Sequence, residues 1–161
     1  MFICLMRGYA IIVVISVFVW AGALIAISFM EAPLKFLAPG ITTKLGLGIG
    51  RLVFHTLNKI EWLLAGLLVA GMYFGKGFKM AWIFTGIILF ILTFQTFVLL
   101  PLLDERAQLW LNGTPPEPSW HHVFYVIIEF IKLISLIILG ILYMKTKFKL
   151  YDTSGSLGII R

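Results

Sequence analysis

Four long apolar runs separated by short polar segments set the pattern of this chain. Residues 9–29 form an unbroken apolar run, and residues 81–103 carry Gln95 and Pro101 but no charge. A further run, 54–75, is clean only from Trp62 onward, and Arg51, His55, Asn58, Lys59 and Glu61 precede that clean stretch. The last, 123–144, holds Glu129 and Lys132 among isoleucines and leucines. About 20 apolar residues in a helix cross the hydrocarbon core of a bilayer. There an open segment can satisfy its backbone only as a helix. The pattern predicts an all-α fold, a four-transmembrane-helix bundle, with residues 1–161 as a single integral membrane domain.

Composition agrees, since 61% of residues are hydrophobic and 12% charged, well outside the norm for soluble domains. Arg7, Lys76, Lys79, Lys145, Lys147, Lys149 and Arg161 fall on one side of the predicted spans. Lys35, Lys44, Arg51 and Arg106 fall on the other. The excess predicts both termini in the cytoplasm and a multi-pass protein of the cytoplasmic (inner) membrane. The net charge of +6 needs no nucleic acid as partner, because cationic flanks suit anionic lipid. Arg7 and the run behind it resemble the start of a signal peptide. The run is long enough to span, however, and no convincing small-residue cleavage site follows before Glu31. The single Cys4 leaves no CxxC pair and no intramolecular disulfide, which excludes quinone-coupled disulfide chemistry.

Shifting the chain by 68 residues on itself superimposes Ser28 on Thr96, Phe29 on Phe97, Pro33 on Pro101 and Leu34 on Leu102. The same shift carries Ile60, Glu61 and Trp62 onto Ile128, Glu129 and Phe130 without a gap. Each half then reads as a helix ending at a proline, a loop, and a returning helix with an early carboxylate. The chain thus suggests two parallel hairpin repeats about an axis along the membrane normal.

The carboxylates are the chief chemical clue. A charged side chain at the centre of a membrane helix costs about 2.5–3.5 kcal/mol on insertion scales, so it is expected to face a partner or a cavity. At about 100° per residue, His122, Tyr125, Glu129 and Lys132 share one stripe of the fourth span. Arg51, His55, Asn58 and Trp62 share a stripe of the second, with Lys59 and Glu61 on its flanks. Both helices run in the same direction, so these groups gather toward one end of the bundle, where Glu31, Gln95, Asp104 and Arg106 can complete a ring. The expectation is a polar, protonation-linked cavity in the outer half of the bundle, built around Glu61 and Glu129. The structural alternative is an ion-pair network, Glu61 with Lys132 and Glu129 with Arg51, that holds the helices in register. His55 and His122 are the candidate metal or haem ligands.

Other motifs carry less. The stretch Gly46, Gly48, Gly50, Arg51 lacks the GxxxxGK[ST] phosphate loop, and its glycines suit a tight turn or close helix approach. Asn112, Gly113 and Thr114 match a glycosylation pattern, followed by Pro115. No nucleophile beside a base and no metalloprotease signature occurs, so no enzymatic activity is expected and no catalytic residue is assigned.

Three segments carry a resemblance: SFMEAPLKF at the close of the first helix, GRLVFHTLNKIEW at the opening of the second, and FVLLPLLDER after the third. With them the chain resembles the four-helix membrane family of unknown function that includes the transmembrane-protein-205-like and copper-resistance-D-like proteins. The resemblance implies the bundle and the repeat. It makes Pro33, Glu61, Pro101 and Arg106 structural signature positions and assigns no activity.

Three classes of function follow. The first is a non-enzymatic protein that binds or moves a small ion through the carboxylate pair. The second is a haem or quinone protein with His55 and His122 as ligands. The third is a non-catalytic subunit or assembly partner, in a homo-oligomer or a larger membrane complex.

Overall fold

A computed structural model gives the architecture and describes residues 2–114, 116–117 and 120–157. Arg161 and Pro115, used above for orientation and for the glycosylation pattern, lie outside the described residues. The described chain is all-α, with four helices long and apolar enough to cross a membrane. The first helix starts as Phe2–Leu24, widens into a π-helical stretch at Ile25–Glu31 and runs on to Leu37. The second spans Thr43–Phe74. The third combines Lys79–Phe94, a π-helical stretch Gln95–Leu99 and Leu100–Leu111. The fourth is His121–Leu157.

The helices overrun the apolar runs that predict them. The second starts at Thr43, well before residue 54, because the Thr42 hydroxyl accepts the Leu45 N–H at 3.2 Å and caps it. Hydropathy marks the apolar stretch of a helix, whereas backbone hydrogen bonding carries the helix on beyond it. The fourth likewise continues past 144.

Nor do the first and third helices end at their prolines. A proline inside a helix lacks an N–H and crowds the carbonyl four residues back, here that of Phe29 or Phe97. Both helices answer with a wider turn just before the ring. Ala32 N–H bonds to Ile27 C=O, five residues back, and Leu100 N–H bonds to Gln95 C=O in the same way. The two bonds are related by the 68-residue shift, so the internal correspondence extends from sequence to backbone detail.

It extends to packing as well. Val13, Val17, Trp20 and Leu24 are fully buried on one face of the first helix. Their counterparts 68 residues on, Ala81, Thr85, Ile88 and Leu92, are fully buried in the third. The first helix packs on the second and fourth, and the third on the same two, so the second and fourth face each other across a diagonal. Close approach is secured by small residues. A Cβ on Gly71 would lie 2.9 Å from Val13 Cγ2, and one on Gly140 would lie 2.9 Å from Phe18 Cζ. At the end where the second helix gives way to the third, Lys147 Nζ donates to the Gly75 and Lys76 carbonyls at 2.9 and 2.8 Å and ties down the 75–78 turn. Outward faces are apolar, with Ile15, Leu63, Phe90 and Phe97 exposed as lipid contact requires.

Candidate functional site

All four helices send a polar side chain to the centre of the bundle. Lys132, fully buried, donates to Glu61 Oε1 and to Gln95 Oε1, the latter at 2.6 Å. Trp20 Nε1 donates to the same Glu61 oxygen at 2.8 Å. Glu129, one turn before Lys132 on the fourth helix, brings Oε2 to 3.2 Å from the ammonium. Gln95 opens the π-helical stretch of the third helix, so the widened turn and the inward amide are one local feature.

The charges do not balance. Two carboxylates share one ammonium, which leaves one negative charge in excess when all three are ionised. The hydrogen bonds are as uneven as the charges. Glu61 holds two donors, whereas neither Glu129 oxygen completes a hydrogen bond and Gln95 Nε2 has no acceptor. Buried polar atoms that complete no hydrogen bond are few in folded proteins, and three around a single ammonium make an unusual concentration.

One turn from Glu129 toward the loops, Tyr125 is buried with its hydroxyl facing that carboxylate and its ring edge-on to Phe54 at 5.6 Å. Beyond Tyr125 opens a cavity of about 630 Å³, bounded by the loop-side ends of all four helices. Tyr125 therefore divides the charged core from a space that leads out of the bundle.

The second-helix stripe faces elsewhere. Arg51 Nε and His55 Nε2 hold the two oxygens of Asp104 on the third helix at 3.1 and 2.6 Å. Asn58 and Trp62 both donate to Thr96 Oγ1, at 2.9 and 3.1 Å. These residues fasten the second helix to the third, and Lys59 is exposed. The expected pairing of Glu61 with Lys132 is present, while that of Glu129 with Arg51 is replaced by Glu129 with Lys132 and Arg51 with Asp104. Helical periodicity fixes which residues share a face but leaves open which neighbour that face meets.

The structure does not bring His55 and His122 into one ligand set. His55 turns to Asp104, and His122 lies on the cavity wall. Among the described residues, no group of three His, Cys, Asp or Glu side chains is placed to hold a metal ion. Sequence reasoning missed Trp20, although a signal existed. A tryptophan far from either end of a membrane helix buries an indole N–H that must find an acceptor. No family model matches the chain, and neither a curated protein nor a solved structure matches it.

Proposed function

We propose that this chain is a non-enzymatic membrane protein that binds or moves a small cation, in the simplest case a proton, at the Glu61–Lys132–Glu129 group. The observation that carries this reading is the Glu129 carboxylate, which completes no hydrogen bond of its own and shares, at 3.2 Å, an ammonium already engaged by Glu61 and Gln95. A single added cation balances the group's charge, and Glu129 is the member whose carboxylate completes the fewest hydrogen bonds and so is the more open to receive it. Tyr125, Trp20 and Gln95 are the uncharged polar neighbours that face the group from the remaining directions. In a site shielded from water each of these contacts counts for more than at a surface. The distribution of lysine and arginine supports termini in the cytoplasm of a cell whose inner membrane holds the protein, with the cavity opening outward.

Reconstitution tests the reading. Proteoliposomes under an imposed pH gradient are expected to relax it faster than protein-free vesicles, and Glu129→Gln should remove most of the difference. Relaxation equally fast in the Glu61→Gln, Glu129→Gln double variant would rule the carboxylates out as carriers of the flux.

A further inference from the structure

The cavity has a chemistry separate from the core beneath it. Its deep end is formed by Phe29, Phe54 and Tyr125 and is aromatic. Its loop-side end carries Arg51 and Arg106, with Asp104 as the acidic residue in the wall, while the Lys35 ammonium lies over the Phe54 ring at 5.6 Å. Lys35 is paired to Glu31 at 3.4 Å and Arg51 to Asp104 at 3.1 Å. Arg106 instead donates to the main-chain carbonyl of Glu117, so its charge has no carboxylate partner among the described residues. The space is thus mainly apolar at depth, where the one ammonium is already paired to Glu31, and cationic at its mouth.

We infer that the cavity takes a single-chain fatty acid, with its carboxylate at Arg106 and its hydrocarbon tail directed toward Tyr125. Charge complementarity chooses the head: a guanidinium offers a carboxylate two parallel N–H donors. Shape chooses the tail. Wall residues from Gly46 to Phe54 on the second helix span about 12 Å at 1.5 Å per residue, a slot deep enough for the first part of one acyl chain. A volume of about 630 Å³ lies within the usual range of small-molecule sites, and a two-tailed phospholipid is bulkier than that. Moving a tail from lipid into an apolar pocket gains little, because both surroundings are hydrocarbon, so selectivity rests on the head. The inference uses Arg106 and Trp110 and does not depend on the charged core.

Trp110 lines the cavity and supplies the readout. The protein in phosphatidylcholine nanodiscs is titrated with dibromostearic acid, whose bromines quench tryptophan on contact. Saturable quenching is expected, lost in Trp110→Phe and weakened when Ala107→Phe narrows the cavity without adding a tryptophan. Arg106→Gln should weaken the apparent Kd about tenfold, the loss of one charge-assisted contact. The brominated alcohol of the same chain should quench only in proportion to its mole fraction. Equal saturable quenching by the alcohol, or an unchanged Kd in Arg106→Gln, would overturn the assignment. Stronger saturable quenching by dibrominated phosphatidylglycerol would overturn it in favour of a phospholipid. Should Arg106→Gln fail to fold, the Ala107→Phe titration decides alone, with an unchanged apparent Kd counting against the cavity.

Discussion

Replacing Lys132 by methionine keeps the length of the side chain and removes the only cation among the described residues that touches both Glu61 and Glu129. At 3.2 Å and an effective dielectric constant near 20, the Lys132–Glu129 attraction alone is about 5 kcal/mol before desolvation is subtracted. Measured costs of breaking a buried pair by deleting one partner run to about 3–5 kcal/mol. The upper part of that range applies here, because two carboxylates lose their partner together. The companion variant removes all three charges: Lys132→Met, Glu61→Gln, Glu129→Gln. With no ion left unpaired it should recover most of the loss, since uncharged replacements of buried ion clusters are often neutral or better. Unfolding in mixed micelles with rising dodecyl sulfate, followed by tryptophan fluorescence, measures both, and Trp20 sits on the site as a reporter. A single variant that loses less than about 1 kcal/mol, or a triple variant no more stable than the single one, would refute the electrostatic account.

Two further outcomes use the same assay. Trp20→Phe removes the indole donor from Glu61 and should cost about 1.5–3 kcal/mol, the range for a hydrogen bond to a charged group, with a matching fall in the fluorescence amplitude. Gly71→Ala places a methyl 2.9 Å from Val13 and should destabilise by about 1–3 kcal/mol, whereas Gly66→Ala, which meets nothing within 4 Å, should be neutral or stabilise by up to about 1 kcal/mol.

The inward carboxylates were legible because a charge inside an apolar run has to turn away from lipid, and Glu129 and Lys132 are three residues apart on one stripe. Tyr125 lies on the same stripe and was legible for the same reason. What the chain could not give was distance between helices. Arg51 and His55 share a face, but that their face meets Asp104 depends on the order of helices around the bundle. The prolines misled in a similar way. Pro33 and Pro101 read as helix ends, yet a single widened turn lets each helix continue, a solution set by backbone geometry with no mark in hydropathy.

The near-symmetry of the two halves gives the central lysine a meaning of its own. At the place of Lys132 the first half has Leu64, and at the place of Gln95 it has Ile27. Two identical hairpins dimerised about this axis would bring either a pair of ammonium groups or none to its midpoint. Joining unequal copies in one polypeptide permits an odd number, and with it a solitary positive charge between matched acids that no symmetric homodimer of either hairpin could assemble.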